Sequence, residues 1–258
     1  MATQRELLAA RLFTYAVFPV IRVLLNDDPG TKKKFSNIQA KVQFLAKDPA
    51  GNIGAFLVFD NGEFSVTQGF CEKPDITFSF PSVKKMNDML GGKPVLPGIK
   101  GFGKLGLLIK VFGVLLKLKL MMPTARPKDE LNKYLKVKLA LYMVSTALSQ
   151  LNKGGEENML KWTAKQPDRI YQISVEGTDI AVYLRVKAGN SKAGRGFYTR
   201  KRPFVHMKFS GIDGAIAILL KDAEFVPAVA KGYVSVEGAP EYAAQLNDFM
   251  QRVQAITT

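Results

Sequence analysis

The feature that most constrains the fold of this chain is an internal repeat. The segment ITFSFPSVKKMNDML (76–90) has a counterpart in VHMKFSGIDGAIAIL (205–219), displaced by 129 positions. Each begins with alternating apolar residues, as in a strand with one buried face, and continues with apolar residues at helical spacing. Because 258 residues suffice for two ordinary domains, the repeat predicts two copies of one α+β unit.

Segments on either side extend the repeat. IGAFLVFDNGEFSV (53–66) and IAVYLRVKAGNSKAGRGFYT (180–199) each read as two strands joined by a turn rich in Asn and Gly, which predicts a hairpin. VLPGIKG (95–101) matches YVSVEG (233–238) as a further short strand. The order predicted for each copy is therefore helix, three strands, helix, strand, helix.

A helical segment opens each copy, at 5–27 and at 129–153. Between the copies lies MMPTARPKDE (121–130), whose two prolines are typical of a linker. We predict units at 1–123 and 129–258.

The N-terminal segment is apolar enough to be tested as a signal peptide. Arg11 and Arg22 interrupt it, and no small-residue cleavage site follows an unbroken apolar core. The spacing instead predicts an amphipathic helix that is kinked or restarted at Pro19.

The most apolar stretch is GFGKLGLLIKVFGVLLKLKLMM (101–122), which closes the first copy. Lys110, near its middle, argues against a membrane span, because a charge at that depth is costly. A helical wheel puts one narrow stripe together: Gly103, Gly106, Lys110, Gly113 and Lys117. We expect a helix covered on nearly all other sides.

The counterpart of this stretch in the second copy, PEYAAQLNDFMQRV (240–253), has only an ordinary apolar stripe. The surplus apolar surface predicts a lipid site or a hydrophobic interface in the first copy.

The net charge of the chain indicates which classes of partner it could bind. The net charge is +15, and 1–128 contribute 19 basic residues against 9 acidic ones. Such an excess favours nucleic acid or an anionic membrane surface. The single cysteine, Cys71, excludes an internal disulfide and suits a reducing compartment, so we expect a cytoplasmic protein, with a peripheral position at a membrane left open.

The inventory of chemically active residues is small. With only one histidine, His206, and one cysteine, sites that need two histidines and ordinary tetrahedral zinc sites are excluded. His206 has the opposite parity to its apolar strand neighbours, which favours a solvent-facing or edge position. No phosphate-binding glycine loop occurs. We predict a chain that is not an enzyme and has no catalytic residue, metal or cofactor.

Nucleic-acid binding is the other class that the charge suggests. NSKAGRGFYTRKRPF (190–204) combines basic residues with Phe197, Tyr198 and Phe204, which could stack on bases. A basic hairpin with inward-facing aromatic residues is the favoured interpretation, so nucleic acid is the less favoured partner.

Several motifs resemble the sterol-carrier-protein-2 family. In the first copy these are KPDITFSF (73–80), MNDMLGGK (86–93), GIKGFG and LGLLIKVF; in the second they are PFVHMKFSGIDGAIAILL and GYVSVEG. The resemblance covers 38–122 and 170–254. It implies that each copy has a mostly antiparallel sheet of about five strands, covered by helices around an apolar cavity. Whether the two cavities are separate or joined stays open.

The resemblance implies that the chain binds an apolar lipid (sterol, fatty acyl, isoprenoid or phospholipid) and transfers or presents it without catalysis. Transient contact with an anionic membrane surface would accompany loading. The predicted lipid-binding residues of the first copy are Phe56, Val58, Phe78, Phe80, Met86, Leu90, Phe102, Leu105, Leu108, Ile109, Phe112 and Leu115. Those of the second are Met207, Phe209, Ile216, Leu219, Phe225, Tyr242, Leu246 and Phe249, with Val182 and Leu184 beside them.

Three alternatives remain. The chain could present a lipid substrate, such as a quinone precursor, to a biosynthetic enzyme. It could be a basic nucleic-acid-binding protein. It could also be a structural tandem whose apolar helix packs against a partner or forms a homodimer.

Overall fold

The computed structural model describes residues 1–220, 222 and 224–257. The chain divides into two units. The first is Met1–Lys119 with the chain end from Ile256, and the second is Leu120–Ala255. Both combine helices with a five-stranded sheet, which confirms the α+β class.

The first unit begins with helices and continues with four strands before the next helix. Its helices are α1 (Gln4–Leu12), α2 (Ile21–Asp27), α3 (Pro29–Phe35), α4 (Val83–Leu90) and α5 (Leu105–Lys117). Its strands are β1 (Gln39–Ala46), β2 (Ile53–Asp60), β3 (Glu63–Gln68), β4 (Ile76–Phe80) and β5 (Gly98–Lys100). Short 3₁₀ turns, Phe102–Lys104 and Leu118–Met121, flank α5.

The second unit repeats this plan. Its helices are α6 (Glu130–Lys153), α7 (Glu157–Ala164), α8 (Gly211–Leu219), α9 (Phe225–Ala230) and α10 (Pro240–Thr257). Its strands are β6 (Arg169–Val175), β7 (Ala181–Lys187), β8 (Asn190–Arg195), β9 (Val205–Phe209) and β10 (Val234–Gly238). Pro240 stands at the first position of α10, where its missing N–H costs nothing.

The two sheets have the same topology. The strand order is β3-β2-β1-β4-β5 in one and β8-β7-β6-β9-β10 in the other. The central pairs, β1 with β4 and β6 with β9, are parallel, and the other pairs are antiparallel. The predicted order of three strands before the helix is wrong, because four strands precede it in each unit. The strands missed, β1 and β6, are the central ones.

An aromatic column connects the layers of the first unit. The rings of Phe18 and Phe44 lie 4.7 Å apart, those of Phe44 and Phe78 lie 5.0 Å apart, and Phe112 of α5 meets Phe78 at 5.3 Å. Such offset and edge-on contacts add to the free energy gained by burying the rings. The N-terminal helical segment, the two parallel strands and α5 therefore share one core.

The N-terminal segment is a core element. A capping box between Thr3 and Glu6 starts α1, and a π-helical turn and a 3₁₀ turn carry the chain past Pro19 into α2, which confirms the predicted restart. Within the part of the chain that the structure describes, one segment, Gln4–Asp27, is long and apolar enough to cross a membrane. Because 72% of its apolar window is buried inside the protein, length and composition are weak evidence for a span.

A buried glutamine occupies the same place in both central strands. In β1, Gln43 Nε2 donates to the carbonyls of Phe44, Ala55 and Gly69, while its Oε1 accepts from the Cys71 N–H. In β6, Gln172 is equivalent: its amide bonds the carbonyls of Ile173, Val182 and Gly196 and the Tyr198 N–H. Each glutamine ties the chain that leaves the third strand of its sheet back to the centre. The repeat thus extends to side-chain chemistry.

Both hairpin turns have left-handed residues at their two central positions, and they differ in one informative respect. Asn61 and Gly62 have φ of 49° and 93°, whereas Ala188 and Gly189 have φ of 44° and 83°. Both pairs suit a type I′ turn, but alanine tolerates positive φ poorly.

We expect Ala188→Gly to raise the free energy of unfolding of the second unit by about 0.5–1 kcal/mol, because glycine relieves the strain at positive φ. Urea denaturation followed by circular dichroism measures the change. Placing alanine at the equivalent position of the other hairpin, Asn61→Ala, should lower the free energy of unfolding of the first unit by a similar amount. Equal free energies of unfolding for Ala188→Gly and the wild type would show that Ala188 is not strained.

Candidate functional site

The helix α5 packs on the first unit through one face only. Leu108, Val111 and Val114 are buried, and Phe112 contacts Phe78 of β4. Their spacing of three to four residues is that of an ordinary amphipathic helix. On the evidence of burial, α5 has a core side and an outer side.

The outer side of α5 is also apolar. Phe102 and Ile109 are each 63% exposed, Leu105 is 59% exposed and Leu116 is 57% exposed. These four residues are called the apolar ridge below. The expectation of a helix covered on nearly all sides is therefore wrong. A helical wheel shows how apolar residues are distributed around a helix, but it does not show how many other elements pack against that helix.

The glycines next to the ridge face open space. A Cβ atom added at Gly103, Gly106 or Gly113 would meet no atom within 4 Å. Among the described residues, no other segment of the chain packs against these glycines. Lys110, on the same stripe, is half-buried.

Lys117 anchors α5 instead of facing water. Its ammonium group donates to the carboxylate of Asp28, which is 6% exposed. Asp28 also caps α3 by accepting from the Thr31 N–H at 2.8 Å. Burial alone would raise the pKa of Asp28, but the hydrogen bonds from Lys117 and Thr31 together hold it below its ordinary value of 3.8. The pair fixes which side of α5 faces outward.

We expect Asp28→Ala to lower the free energy of unfolding by about 2 kcal/mol, since it removes both the α3 cap and the partner of Lys117. Asp129→Ala, which removes the N-cap of α6 alone, is the matched control and should cost about 1 kcal/mol. Because the pKa of Asp28 is lowered in the folded state, its contribution is complete above the unfolded value near pH 4 and disappears as pH falls through the folded value. A pH series of urea unfolding curves for both variants tests the sign.

The predicted lipid-binding residues of the first unit fall into three classes of burial. Those buried are Phe78, Phe80, Met86 and Leu108; those half-buried are Phe56, Val58, Leu90, Phe112 and Leu115; those exposed are Phe102, Leu105 and Ile109. Burial suits a core residue and a cavity wall equally, so their role stays a prediction.

The second unit lacks an exposed class among its predicted residues. Those buried are Met207, Phe209, Leu246, Phe249, Val182 and Leu184, and those half-buried are Ile216, Leu219, Phe225 and Tyr242. Tyr242 lies beside Phe204, at 5.2 Å between ring centroids, and the Arg169 guanidinium lies over both rings, 3.9 Å from Phe204 and 4.5 Å from Tyr242. The roles of these residues also stay a prediction.

A cleft of about 430 Å³ opens where β9 and β10 meet the start of α10. It is lined by Arg202, Pro203, Phe204, His206, Glu237, Gly238 and Ala239. None of these is a predicted lipid-binding residue. The lining mixes charges of both signs with one phenyl ring and one imidazole ring, which suits a small polar group better than a lipid chain.

His206 lies in this cleft and is half-buried, and its strand β9 lies between β6 and β10, so the expectation of a solvent-facing or edge position is only partly met. Its Nε2 is 2.8 Å from the Ser174 hydroxyl. Burial, with a smaller effect from Lys208, lowers the pKa of His206 below its ordinary value, and Glu237 partly opposes the shift. The parity of His206 within its strand was the sequence signal for this polar face.

The aromatic residues of 190–204 are mostly packed. Tyr198 meets Tyr183 at 5.0 Å, and Phe204 lies between Tyr171 and Tyr242, whereas Phe197 is 58% exposed. One exposed ring makes a poor platform for successive bases. Among the residues that the structure describes, no group of three or more His, Cys, Asp or Glu could hold a metal ion.

The chain is similar to a solved sterol carrier protein domain. This is the sterol carrier protein domain 2 of Helicoverpa armigera, at 21% sequence identity over 45% of this chain and 94% of that domain, with a TM-score of 0.32. No family model matches the sequence, and no curated protein matches it.

Two further similar structures are enzymes. One is a double mutant of the sec-alkylsulfatase PisA1, at 11% identity and a TM-score of 0.29. The other is the stereoselective inverting sec-alkylsulfatase Pisa1 from Pseudomonas sp., at 12% and 0.27. Each match covers 57% of this chain and 28% of the enzyme.

The prediction that the chain is not an enzyme is therefore wrong as stated, because enzymes are among the solved structures that it is similar to. A single histidine excludes sites that need two, but it does not exclude catalysis as such. At these identities the likeness concerns the fold alone and assigns no sulfatase chemistry to this chain.

Proposed function

We propose that this chain binds an apolar lipid, of the sterol, fatty acyl, isoprenoid or phospholipid class, and transfers or presents it. Each of the regions 1–123 and 129–258 would be one sterol-carrier-like unit. The observation that carries the proposal is the apolar surplus of α5, whose Phe112 and Leu115 are half-buried and whose outer side is the apolar ridge. A helix that only closed a core would have a polar outer side, as α10 has.

The binding site proposed in the first unit lies between α5 and β4. Phe112 and Leu115 of α5 are half-buried, and Phe78 of β4 lies beneath Phe112. Half-buried apolar side chains can turn toward a ligand without first breaking a close-packed core. Burial of the ligand's apolar surface would drive binding at about 25 cal/mol per Å².

Native mass spectrometry of the full purified chain, followed by lipid extraction, tests the proposal. We expect a bound lipid in the wild type and about tenfold less in Leu115→Gln, since the amide would enter an apolar site at a cost of about 1–3 kcal/mol. Leu160→Gln, at a 42% exposed position of α7, is the control and should keep the lipid.

A chain that carries no lipid after gentle purification, and that takes up none from added fatty acid or sterol, would contradict the proposal. If that chain also bound RNA with an affinity that falls steeply with salt, nucleic-acid binding would replace lipid binding as the function.

A further inference from the structure

The apolar ridge lies within the most basic part of the sequence. Residues 89–128 contain eight Lys and Arg residues and no Asp or Glu. The whole chain has a net charge of +15, so these forty residues supply more than half of it. Four of the eight are paired in the structure with carboxylates outside this segment: Lys93 with Asp88, Lys104 with Asp75, Lys117 with Asp28 and Arg126 with Asp222. The other four, Lys100, Lys110, Lys119 and Lys128, remain to attract an anionic surface.

The structure places lysines around the ridge. Lys110 lies along one side of α5, and the exposed Lys100 and Lys119 lie beyond its two ends. Lys104 and Lys117 also border α5, but their ammonium groups are paired with Asp75 and Asp28. At 100° per residue, Leu105, Ile109 and Leu116 fall within about 40° of one another. The surface is thus a compact apolar strip with basic residues beside it, which is the pattern of helices that lie in a membrane interface.

We propose that the apolar ridge of α5 is the surface by which the chain docks on an anionic lipid bilayer. Phe102, Leu105, Ile109 and Leu116 enter the boundary between headgroups and acyl chains, and the surrounding lysines contact anionic headgroups. The purpose of docking, loading and release of lipid, rests on the proposed function, whereas the docking itself does not.

Charge argues against a second copy of the chain as the occupant. Two ridges packed face to face would bring Lys100, Lys110 and Lys119 of one copy close to the same lysines of the other, which is unfavourable between like charges. The counterpart helix α10 offers no such surface either, since its outer side carries Glu241, Gln245 and Asp248. An anionic bilayer offers acyl chains to the apolar strip and negatively charged headgroups to the lysines beside it.

Sedimentation of the full chain with vesicles tests the proposal. We expect binding to vesicles of phosphatidylcholine and phosphatidylserine in roughly three-to-one proportion, and much weaker binding to pure phosphatidylcholine. The double variant Leu105→Ser with Ile109→Ser should bind about tenfold more weakly or worse. Lys110→Gln and Lys119→Gln should each weaken binding roughly fivefold, and added salt should reduce the binding of the wild type.

The matched control carries Leu160→Ser and Val226→Ser, two exposed apolar positions of the second unit, and should bind as the wild type does. Circular dichroism checks that all variants are folded. Equal binding by the ridge variant and the control would overturn the proposal, as would equal binding to neutral vesicles. A dimer of the wild type that dissociates in the ridge variant would also overturn it, because the ridge would then be a self-association surface.

Lipid bound to the same preparations is measured in parallel. If lipid co-purifies but the ridge variant still docks, the docking proposal alone fails. If docking depends on the ridge but no lipid is carried, the proposed function fails and the docking surface stands.

Discussion

Replacing Gly101 by alanine is expected to destabilise the first unit by about 3 kcal/mol, one of the two largest effects predicted for this protein. Gly101 has φ of +97°, which alanine adopts poorly, and a Cβ atom there would lie 2.2 Å from the backbone carbonyl oxygen of Asp75. Backbone atoms cannot turn aside as a flexible side chain can. The strand β4 or the start of α5 would therefore have to move.

The control is Gly103→Ala, two residues further on, where no atom lies within 4 Å of the added Cβ. We expect its free energy of unfolding to stay within about 1 kcal/mol of the wild type. Urea unfolding of both variants, with each transition fitted separately because two units are present, gives the comparison. Similar values for the two variants would show that the close approach at Gly101 is not a constraint.

The second unit offers an independent repeat of this experiment. Gly238 has φ of +95°, and its added Cβ would lie 2.0 Å from the Phe204 carbonyl oxygen. Gly101 directly follows β5 and Gly238 is the last residue of β10, so each glycine lies between the last strand of its unit and the final helix. The match between VLPGIKG and YVSVEG was visible in the sequence because the backbone at this point accepts only glycine in both units.

Elements governed by local patterns could be predicted from the sequence. Alternation predicted β4 and β9, the Asn61–Gly62 pair predicted its hairpin, and Pro240 predicted the start of α10. In each case neighbouring residues carry the signal, through side-chain parity, positive φ or a missing N–H.

The central strands β1 and β6 could not be predicted in the same way. Nearly all of β6 is buried on both faces, and its buried positions include Gln172 and Ser174. Buried polar residues interrupt the apolar pattern, and the parallel partner is distant in sequence. The burial of the N-terminal segment and the exposure of the apolar ridge depend likewise on which other helices and strands pack against them. Hydrophobicity alone does not reveal this.

For the candidate site, the sequence singled out α5 by its apolar surplus but did not predict the environment of that helix. The surplus of apolar residues on α5 was evident by comparison with α10. Leu105 and Ile109 are exposed to solvent, and Lys117 donates a hydrogen bond to Asp28. Both facts depend on tertiary contacts between residues far apart in sequence. The same limit applies to His206, whose parity was clear but whose cleft depends on β10 and α10.

The other large effect is expected from Gln172→Leu, which should lower the free energy of unfolding of the second unit by about 3 kcal/mol. Leucine nearly preserves the volume but leaves the Val182 and Gly196 carbonyls without the amide donor and the Tyr198 N–H without its acceptor. Gln172 is 1% exposed, so water cannot easily replace it. Buried polar groups without partners carry the full cost of desolvation.

Gln251→Leu, at an exposed position of α10, makes the same chemical change without that cost and should stay within about 0.5 kcal/mol of the wild type. Limited trypsin digestion provides a second readout, because Gln172 holds the chain that leaves β8, just before the basic residues Arg200 and Lys201. Cleavage there should accelerate in Gln172→Leu and not in Gln251→Leu. Unchanged stability together with unchanged cleavage would show that β8 is held in place by its ladder with β7 alone. The repeated glutamine would then have no structural role in the second unit.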